Sequence, residues 1–237
     1  MMVASAAILV ALLVSGLLQF LLPLVVADEA GLRLLRPETA SPARRRLGSI
    51  VLLAGTLPLA ACAPLVIPTG TRIMDVVLAV GWGAAAGAAP LLTRIDLRIR
   101  RLPDRIVLPL VALTAALWLC ALLVAPGTAG ASAAGAALLL GPACGAAVLL
   151  VSLLGGRGRG LAIGLGDVKL AVLLGLIAGL TGGTGVLAAF VIAQASAVVE
   201  ALWRLLVRRE GRGARLAFGP HLLLGMWTGP VVLALLG

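Results

Sequence analysis

The chain has 237 residues, of which 62% are hydrophobic and 12% charged, with a mean hydropathy of +1.17 and no tyrosine. Soluble domains run at roughly 45–50% apolar residues, and this much apolar surface does not fit inside one water-soluble core of such a size, so a polytopic, all-α membrane protein is what remains. The net charge of +10 comes from 19 basic residues, 18 of them arginine; with so much Ala and Gly this reads as coding bias, and no segment is long enough for the soluble basic domain that nucleic-acid binding needs.

Residues 1–27 carry no charge and predict a first span, Val3 to Ala27. A cleaved signal peptide would show a positive leading region and a shorter apolar core. Charges cluster from Asp28 to Arg46, a second neutral run covers Leu47 to Thr71, and a third covers Val76 to Thr93. From Ile106 to Gly156 there are 51 uncharged residues, too many for one span of about 20. The turn signal "APGTAGAS", Ala125 to Ser132, divides that run into a helical hairpin. The run from Leu170 to Val199 divides the same way at "TGGTG", Thr181 to Gly185, and Leu216 to the end supplies a last span. About eight transmembrane helices result.

Basic residues test that count. Loops one, three, five and seven together hold 18 of the 19, and the even loops hold only Arg72. By the positive-inside rule the odd loops are cytoplasmic and both termini are non-cytoplasmic. No cytoplasmic loop is long enough to fold alone. The chain is thus expected to be a single membrane domain, 1–237, with an N-terminal two-helix part, 1–74, carrying a short cytoplasmic loop at 28–47, and a six-helix part, 75–237. Cys62, Cys120 and Cys144 lie singly in apolar runs with no CxxC, and read as small buried hydrophobes.

Most of the nine acidic residues have ordinary settings. Asp28, Glu29, Glu38 and Glu210 sit among arginines in loops, and Asp75 lies close to Arg72 at a helix end. Glu200 stands one turn before Arg204, as an i,i+4 pair would, although an ionisable group within a span is also a functional candidate. Asp96, in "TRIDLRIRRLPDRIVLPL", directly follows the third span, and Asp167, in "LAIGLGDVKL", directly precedes the sixth. They are 71 residues apart, yet the hairpin between them returns the chain to the same membrane face. Two carboxylates brought together share a proton and titrate as a unit. One can then activate water while the other protonates a scissile carbonyl. Gly164 and Gly166 would let a peptide backbone approach closely. Taken alone, the segment reads more readily as a helix start capped by Asp167 and packed through its glycines.

Three stretches together resemble the type IV prepilin (leader) peptidases, GxGD-type intramembrane aspartyl proteases. "IDLRIRRLPD" resembles the family's first motif through Asp96, Pro103 and Asp104; "GLGDVKL" resembles the second through Gly164, Gly166, Asp167 and Lys169; "AFGPHLLLG" resembles the element opening the last span through Phe218, Gly219 and Pro220. The order and the eight-span topology agree with the family over about residues 75–237. The resemblance implies that Asp96 and Asp167 are a catalytic pair working without metal or cofactor, with the other eight residues binding substrate or supporting the site. It also implies a multi-pass protein of the cell membrane and a cytoplasmic active site. The implied partner is a prepilin or pseudopilin precursor of a pilus or secretion system, cut after a short basic leader, usually behind glycine, next to membrane lipid.

Bifunctional members carry a domain with paired CxxC motifs between spans one and two, associated with N-methylation. Here that place holds "DEAGLRLLRPETASPARRRLG", with no cysteine and hence no zinc site. The resemblance therefore extends to the peptidase and not to methyl transfer. Lys169 is the only lysine and His221 the only histidine; a snorkelling boundary role for the first and a packing or interfacial role for the second are the plainer readings. A non-catalytic assembly factor or transporter on the same scaffold is the alternative, but a transporter usually holds its ionisable site near the bilayer midplane, and these acids flank spans.

Overall fold

The computed structural model describes residues 1–26, 42–68, 70–155, 163–209 and 216–236. Its helices are α1 (Met2–Val25), α2 (Pro42–Ala61), α3 (Ala63–Val66), α4 (Arg72–Ile99), α5 (Asp104–Val124), α6 (Ala129–Gly155), α7 (Leu165–Ala178), a 3-10 turn (Gly179–Thr181), α8 (Gly182–Leu206) and α9 (Gly219–Leu236), with no strand among the described residues. In a bilayer only a helix or a closed barrel satisfies its own backbone groups, and the described spans take the first solution. The expected loop at 28–47 lies outside the described residues up to 41, and α2 already begins at Pro42; Arg157 and Arg159 of loop five and Arg212 and Arg215 of loop seven also lie outside them, whereas Lys169 stands on α7 and Arg204 on α8.

Seven described segments are long and apolar enough to cross a membrane, which makes this a multi-pass membrane protein. The expected eighth span falls within Leu165–Leu206, a continuous apolar stretch of 42 residues. It is interrupted as the sequence suggests, by the 3-10 turn and by Gly182 at φ +78°, ψ −167°, a backbone conformation open to glycine and strained for other residues. The turn after α5 is shorter than "APGTAGAS": helix resumes at Ala129, after Gly127 at φ +84°.

Small residues set the helix crossings, as expected where lipid removes the hydrophobic drive for association. Gly83 and Gly87 of α4 abut the backbone of Ala7 and Ala11 of α1, so the same four-residue spacing runs along both helices and they lie parallel. Gly141 of α6 receives the side chain of Leu176, and Gly175 of α7 stands against Leu140 O and Gly141 Cα. Gly225 and Gly229 of α9 face Ala189 of α8. Because Ser196 of α8 lies near His221 of α9, while Ala189 lies near Gly229, these two helices run antiparallel. The large rings fill the gaps between crossings. Trp118 donates from Nε1 to Leu176 O (2.7 Å), Trp82 donates to Leu59 O (2.8 Å), and Trp227 packs edge-on to Trp82 with centroids 4.6 Å apart.

The helix α4 runs through the middle of the bundle and is buried over most of its length. It continues to Ile99, six residues past the expected end of the third span. Arg94, Asp96 and Arg98 therefore belong to its last turns rather than to a loop, and Arg100, at φ +55°, closes it with its amide donating to Asp96 O (2.8 Å). At the other end of the helix Asp75 takes the Gly70 amide at 2.9 Å, not the expected Arg72.

The α1–α4 crossing gives a test of this packing. A Cβ on Gly83 would enter the Ala7 backbone, whereas one on Gly16, also in α1's path, meets nothing within 4 Å. Gly83→Leu should cost at least about 1–3 kcal/mol through overpacking, lowering the detergent unfolding midpoint. Gly16→Leu should leave that midpoint unchanged.

Candidate active site

The two candidate carboxylates arrive on different helices. Asp96 stands on the last full turn of α4 and is 5% exposed. Asp167 is the third residue of α7, whose N-cap is Gly164, with the Asp167 amide donating to Gly164 O (3.0 Å). The N-cap position is thus filled by Gly164, and Asp167 sits in the first turn of α7 and not at the cap that the segment alone suggested. Both acids line one cleft of about 260 Å³. The cleft's remaining walls are Arg100, Arg101 and Leu102 from the segment after α4, and Gly164, Leu165 and Gly166 from the segment leading into α7.

The third sequence element closes over Asp96 from the side. The Gly219 amide, at the start of α9, donates to Asp96 Oδ2 at 3.1 Å in a buried bond. A Cβ built on Gly219 would stand 2.7 Å from that oxygen and 3.0 Å from Cγ, so the bond requires glycine. Pro220 follows within the first turn of α9, where its missing N–H costs no helical bond. Phe218 is half-buried and rests near His221, ring centroids 6.5 Å apart.

The supporting residues converge as well. Pro103 is the N-cap of α5 and Asp104 its first residue. Lys169 Nζ lies 2.6 Å from Asp104 Oδ1, joining two sequence elements 65 positions apart. Gly166 faces Leu102, whose Cβ would be 3.2 Å from any added methyl. Gly164 has only Asp167 Oδ2 within 4 Å of its own missing Cβ, leaving backbone accessible at the cleft edge.

A second polar group lies between α8 and α9. Glu200 pairs with Arg204 and holds Oε2 at 2.9 Å from His221 Nε2, while His221 Nδ1 is 2.9 Å from Ser196 Oγ. The Glu200–Arg204 pair is visible from sequence spacing; its link to His221 is not, because 21 residues separate them. Arg100, Arg101, Leu102 and Leu165 lie within the two motif stretches without being among the residues that mark them. Among the described residues no three His, Cys, Asp or Glu side chains gather as metal ligands.

Comparison with protein-family models, with curated proteins and with solved structures returns no match.

The steric fit at Gly219 can be read by a double-mutant cycle. Gly219→Ala alone should cost about 1–3 kcal/mol of stability by forcing a methyl against Asp96. In an Asp96→Ala background the same change should cost less than half as much, since contacting residues couple. Equal costs in chemical unfolding of the detergent-solubilised protein would contradict the contact.

Proposed function

We propose that the chain is a membrane aspartyl endopeptidase of the prepilin type, removing a short basic leader from a type IV pilin-like precursor with Asp96 and Asp167 as its catalytic pair. One observation carries the reading: three sequence elements converge, those of α4 and α7 lining one cleft and the start of α9 reaching its Asp96. There Asp96 and Asp167 share the lining and the Gly219 amide holds Asp96. Glycine-rich packing or helix capping would account for each element alone. Neither requires the three to come together around two acids.

In this reading the acids share one proton. One carboxylate takes a proton from water as it attacks the scissile carbonyl, and the other donates to the developing tetrahedral oxygen or the leaving amine. The Gly219 amide fixes one oxygen of Asp96, leaving the other for this exchange. Gly164 offers an edge without side chain, along which an extended peptide can run. The reaction calls for no metal or cofactor, and methyl transfer is not part of it.

The proposed orientation counts α7 and α8 as separate crossings, eight in all. It sets the cleft on the cytoplasmic side of the cell membrane and both termini on the other, as the basic residues suggest. Residues 75–237 would form the catalytic part, with precursor and lipid as the partners it meets.

Asp96→Asn and Asp167→Asn should each reduce cleavage of a co-expressed prepilin by more than about a thousandfold, as removal of paired acid–base groups does, while the variants remain in the membrane fraction. Normal cleavage by either one refutes the dyad. For the orientation, a single cysteine at 96 or 167 in a background without Cys62, Cys120 and Cys144 should react with an impermeant maleimide only in inside-out vesicles. Labelling from both sides would favour a transporter.

A further inference from the structure

The ion pair between Lys169 and Asp104 joins the two strips of chain that carry the cleft. Asp104 opens α5, eight residues after Asp96, and Lys169 lies two residues after Asp167. The strips touch at a second point, where Gly166 packs against the Leu102 side chain. The ammonium and carboxylate are 2.6 Å apart, with side chains 28% and 58% exposed. A pair so open to solvent adds little to the stability of the whole fold, and its conformational effect is local: with Gly166 against Leu102, it fixes where the first turn of α7 sits relative to the end of α4. Those two turns hold Asp167 and Asp96.

The choice of residue agrees. Every other basic position is arginine, and an arginine fork spreads its charge over several donors and a wider plane. A compact ammonium makes one short contact to Asp104 Oδ1 beside a glycine-packed wall. The side chain leaves α7 at about 200° around the helix from Asp167, two residues on, so it is turned toward the α5 start and not toward the acids.

We propose that Asp104 and Lys169 form a positioning pair that holds the α7 start against the segment after α4, setting Asp167 opposite Asp96 for cleavage. Neither residue contacts the reacting atoms; both act through the placement of Asp167. This inference rests on the peptidase reading, and a displacement of about 1 Å between reacting groups is enough to cost up to a hundredfold in rate.

The test uses the full-length protein in lipid nanodiscs with a purified prepilin, together with a cross-linking readout that does not depend on cleavage. Lys169→Met and Asp104→Leu should each lower kcat by about tenfold or more, with KM within about threefold, since alignment and not substrate affinity is lost. The exchanged double variant, Asp104→Lys with Lys169→Asp, should recover most of that loss, as coupling between contacting charges requires. In parallel, cysteines at 101 and 165, on opposite lips of the cleft, should be joined by a short bifunctional maleimide several-fold more slowly in Lys169→Met than in the parent. Unchanged kcat and unchanged cross-linking in Lys169→Met overturn the proposal. So does a rise in KM at constant kcat that the exchange fails to rescue, which would make Lys169 a substrate contact. If the parent protein cleaves nothing, the peptidase reading fails, and the cross-linking rates still decide whether the pair holds the two strips together.

Discussion

A single buried hydrogen bond, from the Gly219 amide to Asp96 Oδ2, sets the demands that the rest of this bundle meets. An acid only 5% exposed on an apolar helix is costly unless something satisfies it. The donor here is backbone, at a helix start, where amides lack intrahelical partners. For that amide to arrive, α9 must begin directly against α4. For it to approach within 3.1 Å, residue 219 must lack a side chain. The last helix of the chain and the central helix are therefore tied at one end by polar geometry.

The other helices show how that end is kept in register. α9 is braced on α8 through Gly225 and Gly229 against Ala189, and its indole at Trp227 meets Trp82 of α4. α7 is braced on α6 by reciprocal small-residue contacts, Gly175 on Gly141 and Gly141 under Leu176. α5 is tied to α7 through the Trp118 bond to Leu176 O. Close packing at glycine allows little rotation of one helix against another. The turns at the acid-bearing end inherit that rigidity, and the cleft lies where three braced pairs of helices end together.

Much of this was legible in the sequence. The all-helical, multi-pass build and the breaks near Gly127 and Gly182 followed from runs of uncharged residues and from glycine-rich turns, because hydrocarbon thickness and backbone satisfaction leave few alternatives. Asp96 and Asp167 could be named, since acids at the edge of apolar runs are conspicuous in a chain with nine of them. What the sequence did not carry was the continuation of α4 past Thr93. Arginines at 94 and 98 read as a loop, yet a helix can emerge from the apolar layer with charged residues on it, and Asp96 ends up buried inside it. The partner of Lys169 was equally out of reach: an ion pair 65 positions apart has no local signature, and only the convergence of α5 and α7 creates it. Cysteine burial was read correctly for Cys144, pressed against Gly175, but Cys120 faces outward, because an α-helix in lipid is apolar all round and hydropathy does not tell its two faces apart.

The Ser196–His221–Glu200–Arg204 group illustrates how polarity inside a span acquires a structural consequence. Each member would be unfavourable facing lipid alone. Glu200 and Arg204 neutralise one another along α8, and His221 reaches across to both Glu200 and Ser196. That contact spans two helices whose glycine crossings already fix their distance, so what it adds is rotation. It selects the face of α9 that turns toward α8, and His221 lies only two residues beyond Gly219. On a helix, turning one residue turns its neighbours by a fixed angle. Gly219 lies about 200° around α9 from His221, so the rotation that holds His221 on Glu200 turns the opposite side of the helix start toward α4, where the Gly219 amide meets Asp96.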